Sequence, residues 1–208
     1  MTYNLLNTWH SLNKRAGQIH SDGSLGRWLT ATASDPAVST IVEVGAWEGN
    51  GSTRVLREAV RGRFKEVAIV SLEASKPRFL RAQSRNKRYP FVKLIWGTVI
   101  SIDDLNTQDL TGDEGKWLEY DMEALRNCPN VLHELPQSID LLLLDGGEFS
   151  TLAEFQLLSS RVTKWLILDD TNTRKCRTIA TNIRTGMTPF TPIVDSDDRN
   201  GFMVALKS

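Results

Sequence analysis

Three groups of residues in this chain have the types and spacing to bind a nucleoside and to gather charge at one place. The first lies in IVEVGAWEGNGSTRVL, residues 41–56, where an apolar strand passes through Gly45, Gly49 and Gly51 into a helix starting at Ser52. Glycines let the backbone turn sharply and let a ligand approach, and the first amides of the helix offer donors at its positive dipole end. Glu43, two residues before Gly45, opposes a pyrophosphate but suits a cationic ligand such as a sulfonium or an amino group. Trp47 sits inside the loop, where it can abut the same ligand. The second group is Glu73 at the end of VAIVSLEAS, about 22 residues beyond Gly51, where a carboxylate can accept both hydroxyls of an adenosine ribose. The plain alternative for Glu73 is a solvated loop residue.

The third group is acidic. IDLLLLDGGEF ends a strand in Asp145, and KWLILDDTN ends the next in Asp169 and Asp170. Carboxyl ends of neighbouring parallel strands converge on the ligand crevice, so these carboxylates are expected to crowd together unless a cation or a proton offsets them. Hard oxygen ligands leaving open positions suit Mg2+ or Mn2+. Otherwise one Asp caps a helix and another is solvated.

EVGAWEGNGS followed by LEAS resembles motifs I and II of class I S-adenosylmethionine-dependent methyltransferases, over roughly residues 40–208. The resemblance implies that Gly45, Gly49 and Gly51 line the methionine part of S-adenosylmethionine, that Glu43 lies near it, and that Glu73 holds the ribose. It also implies a seven-stranded sheet with a reversed last strand. An Asp after strand four and an acidic pair after strand five is similar to the metal-dependent small-molecule O-methyltransferases, of the catechol and the sugar- and antibiotic-tailoring kinds. That similarity implies a divalent ion on Asp145, Asp169 and Asp170, and a small hydroxylated acceptor, a sugar or glycan being the first expectation. Tailoring enzymes of this kind often read Asp-Gly-Asp-His after strand four, the second Asp serving as base. This chain reads Asp145-Gly146-Gly147-Glu148. Glu148 is therefore the candidate base, or a plain helix cap, since a helix amino terminus lowers carboxylate basicity. The alternatives are a base from elsewhere, or a non-catalytic nucleoside-binding or assembly module.

These residues need a scaffold, and the pattern supplies one. Short apolar runs at 40–44, 67–72, 92–96, 139–144 and 164–168 alternate with helical segments, the signature of a parallel sheet covered on both faces. Runs at 190–194 and 202–206 flank SDDRNG, whose Asn200-Gly201 reads as a hairpin turn, so the sheet is expected to end antiparallel. The expected class is α/β, a Rossmann-like doubly wound sheet of about seven strands. Ser52 reads as a capping hydroxyl, Thr151 and Glu154 stand at capping-box spacing, and Cys176, Ile179, Ala180 and Ile183 form a buried helix face. Residues 1–39 read as a helical cap or lid, with Trp28 and Leu29 on the sheet edge and 18–26 a loop. Residues 101–138 form an insertion near the acceptor, whose helix buries Leu118, Met122 and Leu125 and presents Trp117 and Tyr120.

The chain's 208 residues suit a single domain. Lys plus Arg and Asp plus Glu each number 25, so no basic field draws nucleic acid or an anionic membrane. The basic stretch 76–88 reads as a solvated helix face. No apolar run approaches the ~20 residues of a membrane helix, and no signal peptide is read, so a cytoplasmic setting is expected. Cys128 and Cys176 read as reduced thiols, and His10, His20 and His133 as structural or exposed. The spacing differs from GxGxxG, which tilts the reading away from a nicotinamide dehydrogenase.

Overall fold

The computed structural model describes residues 19–63, 65–108, 110, 112 and 114–208. Seven strands form one sheet: β1 (Thr40–Val44), β2 (Ala68–Glu73), β3 (Val92–Trp96), β4 (Ile139–Leu144), β5 (Val162–Asp169), β6 (Phe190–Ser196) and β7 (Phe202–Lys207), in the order β3-β2-β1-β4-β5-β7-β6. The first five pair in parallel, and β7 runs antiparallel to both β5 and β6. The reversed strand thus lies inside the sheet and β6 forms the edge. In the turn between them positive φ falls on Arg199 and Gly201 rather than on Asn200.

Alternate residues of the central strands face opposite sides, as the period of two requires. On one face Ile41, Leu141, Leu143, Ile167 and Val204 pack beneath α1 (Ser24–Ala33) and α2 (Ser52–Val60). On the other Val42, Leu142, Leu144, Leu166 and Leu168 pack beneath α5 (Thr151–Leu158) and α6 (Arg174–Arg184). Cys176, Ile179, Ala180 and Ile183 are buried in α6 as the spacing predicts. The remaining helices are α3 (Lys76–Asn86) and α4 (Glu114–Arg126), the latter inside the insertion between β3 and β4. Among the described residues no helix is long and apolar enough to cross a membrane.

Register positions the site. Val44 pairs with Leu72 on one side and Leu144 on the other, and Leu144 pairs with Leu168. The next residues, Gly45, Glu73, Asp145 and Asp169, therefore emerge side by side at the carboxyl edge of the sheet, where doubly wound folds bind ligands.

Several local expectations are corrected. Gly51, not Ser52, is the N-cap of α2, and no side chain caps it. The Thr151–Glu154 capping box does not form, because the Thr151 hydroxyl donates to the Gly147 carbonyl at 2.8 Å and Glu154 is buried. Leu29 packs over the central face of the sheet beside α2 rather than at its edge. Residues 24–26, expected in a loop, already belong to α1. Residues 1–18 of the expected amino-terminal cap, His10 among them, lie outside the described residues.

Candidate active site

A cavity of about 770 Å³ opens over the carboxyl ends of β1, β2, β4 and β5. Gly45, Trp47, Gly51, Ser52, Glu73, Asp145, Glu148, Asp169 and Asp170 all border it. Two expected contact residues do not. Glu43 is fully buried beneath the loop, where its Oε2 accepts from the Thr53 hydroxyl of α2 at 2.6 Å, so it braces the turn from below. Gly49 backs onto α3: a Cβ there would lie 3.0 Å from Ala82, and the Asn86 amide donates to its carbonyl at 3.3 Å. Gly45 needs its φ of 93° and leaves no room for a Cβ against the Asp145 carbonyl, so neighbouring strand ends touch here.

The basic helix α3, read as a solvated face, clamps this loop. Arg81 and Arg85 reach Glu48 at 2.8 and 2.7 Å. Arg78 stacks 3.2 Å above the Trp47 ring and 4.8 Å from that of Tyr120, tying the glycine loop to the insertion helix. Trp47 has a φ of 51°, unusual for a bulky residue, and its side chain stays half exposed at the cavity rim.

At the ribose end, Glu73 is 7% exposed and accepts from the Ser75 amide at 2.9 Å. Burial raises its pKa to about 7, against the opposing pull of the Ser75 amide and Arg78. Glu154, buried under Gly146 with Oε2 unpartnered, is likewise raised to about 7 by burial. Acids raised in the folded state hold protons that the unfolded chain has released, so stability is expected to fall as pH climbs from about 4.5 through about 7. Asp35, Asp140 and Asp195 are held below the usual carboxylate range, so their stabilising contribution is complete before that window. Asp169, raised to about 7 by burial and by the neighbouring Asp145 and Asp170 charges, loses its proton in the same window, so the ligand-free protein should lose at least about 3 kcal/mol between about pH 5.5 and about pH 8. Chemical denaturation at the two pH values measures this, and equal stability would contradict the burial of these acids.

The acidic group assembles as the strand ends predict: Asp145, Asp169 and Asp170 each offer an oxygen within 4.8 Å of the others. Asp170 adopts a φ of 58°, a left-handed turn that Asp tolerates better than most residues. The cluster is not open. Lys175, its side chain 11% exposed, bonds Asp145 Oδ1 at 2.9 Å and Asp170 Oδ2 at 2.7 Å through Nζ. Asn200 Nδ2 donates to Asp170 Oδ1 at 3.1 Å, and Arg199 lies 3.3 Å from Asp169 Oδ2. Burial alone would lower the Lys175 pKa, but the Asp145 and Asp170 charges raise it well above the usual lysine value. Lys175 reaches the cluster because it lies in the first turn of α6, and helical side chains point back toward the amino terminus, here toward the strand ends.

Glu148 buttresses the start of α6, whose N-cap is Thr173: Oε1 accepts from the Lys175 amide at 3.2 Å, and Oε2 from the Thr173 hydroxyl at 3.3 Å. Opposite it, the insertion brings Asp121 on α4. A Cβ placed on Gly147 would lie 2.6 to 2.7 Å from the Asp121 carboxyl group, so Asp121 fills the space that a side chain at 147 would take. Asp121 is buried, accepts from the Phe149 amide at 2.9 Å, and has its pKa raised by burial. Arg174 fixes the insertion to α6 by pairing with Glu114 at 3.0 Å. Trp117, Tyr120, Ala124 and Leu125 add an apolar wall, as expected of the insertion helix. His20 borders a smaller cavity with Asp22 and Asp198, and His133 lies in a short turn.

No protein-family model and no curated protein matches the chain. Solved structures do resemble it. An O-methyltransferase from Bacillus cereus in complex with SAH (S-adenosylhomocysteine) matches with a TM-score of 0.61 and 18% identity, over 98% of this chain and 89% of that one. A methyltransferase from Geobacter sulfurreducens matches at 0.60 and 14%, over 98% and 87%. An SAH-bound methyltransferase from Podospora anserina matches at 0.59 and 13%, over 100% and 98%. With its strand order and its site at the sheet's carboxyl edge, the chain has the class I methyltransferase fold of these proteins.

Proposed function

We propose that the protein transfers a methyl group from S-adenosylmethionine to a hydroxyl of a small acceptor. The observation that carries this reading is the single cavity wall joining the glycine loop and Glu73 to Asp121 and the aspartate cluster, so a nucleoside end and a proton-handling end face one space. Ribose hydroxyls would donate to Glu73, and the amino-acid part would lie along Gly45, Gly51 and the first amides of α2. The acceptor would lie under the insertion, with Trp117 and Tyr120 against its apolar face and the carboxylates taking its hydroxyls. That pairing suits a sugar ring.

The reaction is an in-line displacement. An acceptor oxygen forms the new O–C bond as the C–S bond breaks, S-adenosylhomocysteine leaves, and the hydroxyl proton passes to a carboxylate. Asp121 suits that last role better than Glu148. Both oxygens of Glu148 are already engaged, by the Lys175 amide and the Thr173 hydroxyl, whereas burial makes Asp121 a stronger base.

The divalent ion implied by the resemblance suits the chemistry of three carboxylates but not their arrangement. One oxygen of Asp145, one of Asp169 and both of Asp170 are held by Lys175, Arg199 and Asn200. The proposed steps therefore run on the chain's own groups.

Calorimetric titration with S-adenosylhomocysteine, with NAD as control, tests the reading. Micromolar binding of the first and none of the second is expected. No binding of S-adenosylhomocysteine would overturn it.

A further inference from the structure

We propose that Lys175 is the resident cation of the acidic cluster, that its ammonium stands in the place a divalent ion would take, and that the protein needs no metal there. Three carboxylates this close repel one another unless positive charge lies among them. A bound metal is one solution, and this chain supplies another. Lys175 Nζ touches Asp145 and Asp170, which follow the neighbouring strands β4 and β5, while Arg199, from the turn before β7, covers Asp169. With both cations in place the local formal charge is −1 rather than −3, the three aspartates being offset by one lysine and one arginine.

The side chain is built into this position. Its backbone amide donates to both Glu148 and the Thr173 hydroxyl, so the first turn of α6 is fixed from two directions. Its neighbour Cys176 is fully buried, and Arg174 on the other side is tied to the insertion helix. A Lys ammonium has three donors, and two are spent on Asp145 and Asp170. Lys175 borders the cavity, so the third is placed to meet a ligand oxygen. An ammonium held beside that oxygen can stabilise negative charge developing on it without a bound ion. Mg2+ and Mn2+ draw on the same hard carboxylate oxygens that Lys175 holds, and a second cation beside the ammonium is strongly repelled.

This inference concerns which cation the cluster holds, and its test does not read methyl transfer, so the two proposals can fail separately. Mn2+ is titrated into the whole protein, and the signal of free aqueous Mn2+ is followed by electron paramagnetic resonance. The wild type is expected to show no saturable site below the millimolar range, and Asp145→Asn to leave its titration unchanged. Lys175→Met keeps the length of the side chain and removes the charge. It is expected to gain at least about 100-fold in Mn2+ affinity, and the gain should vanish in Lys175→Met/Asp145→Asn. Micromolar binding by the wild type that Asp145→Asn removes would overturn the proposal, and this holds even where the lysine variant does not fold. A folded Lys175→Met protein, judged by its circular dichroism and thermal transition, that gains no Mn2+ affinity would overturn it as well.

Discussion

Replacing Glu73 by alanine is expected to weaken S-adenosylhomocysteine binding by about 100-fold at about pH 8, the largest loss of affinity from any single cavity substitution. Two ribose hydroxyls donating to one carboxylate are charge-assisted bonds of about 1.5–3 kcal/mol each, and part of that is returned by water entering the cavity of the variant. The same residue should make binding proton-linked. In the free protein Glu73 has a pKa of about 7, burial being the main cause. Ribose donors favour the ionised form, so the complex has a lower pKa and binding releases a proton below pH 7. Affinity should therefore rise about tenfold from about pH 6 to about pH 8 and level off above. Glu73→Gln should bind weakly and lose this pH dependence. Titrations at three pH values, in buffers of different ionisation enthalpy, read both effects. A variant binding as tightly as the wild type would remove Glu73 from the ribose site.

How much of this was legible in the sequence follows from which residues act through local chain geometry. Gly45, Glu73, Asp145 and Asp169 each directly follow or end a short apolar strand, and parallel pairing brings such ends together wherever the strands lie adjacent. A linear pattern carries that information. The edge order of β6 and β7 was not carried the same way, because a hairpin pattern fixes pairing between two strands but not which of them joins β5. That Glu43 does not border the cavity has a related reason. Strand residues alternate faces, and position 43 points beneath the loop to Thr53 rather than into the cavity.

Lys175 and Asp121 are a different case, since their roles arise only when distant elements meet. Both nevertheless left a trace. Asp121 lies between Leu118 and Met122 and one turn before Leu125, so it interrupts the apolar face of the insertion helix with a charge. Lys175 stands one turn before buried Ile179, on the side of α6 that turns to the core. A charge on an inward face signals a partner, although not which one. Arg78 left no such trace. Its stack on Trp47 and Tyr120 depends on a glycine loop, a helix and an insertion that only the fold brings together.

The position read as a missing base, Gly147, carries the second large effect. Asp121 occupies the space above it, so the proton acceptor that the strand-four motif lacks would come from the insertion helix. Asp121→Asn preserves shape and the bond from the Phe149 amide but cannot take a proton, so turnover should fall by about 10²–10⁴-fold. Affinity for S-adenosylhomocysteine should change little, because Asp121 lies at the acceptor end. The pH profile separates a base from a merely structural group. A carboxylate whose pKa is raised by burial must lose its proton before it can accept one, so wild-type turnover should climb with pH through a limb above the usual carboxylate range. The residual activity of Asp121→Asn should lack that limb. Glu154→Gln is the necessary comparison, since Glu154 borders the same cavity with one oxygen unpartnered and a pKa also raised by burial. If Glu154→Gln abolishes turnover and the pH limb while Asp121→Asn retains both, the proton goes to Glu154 and Asp121 only packs over Gly147. If Glu148→Gln has that effect instead, Glu148 is the base after all.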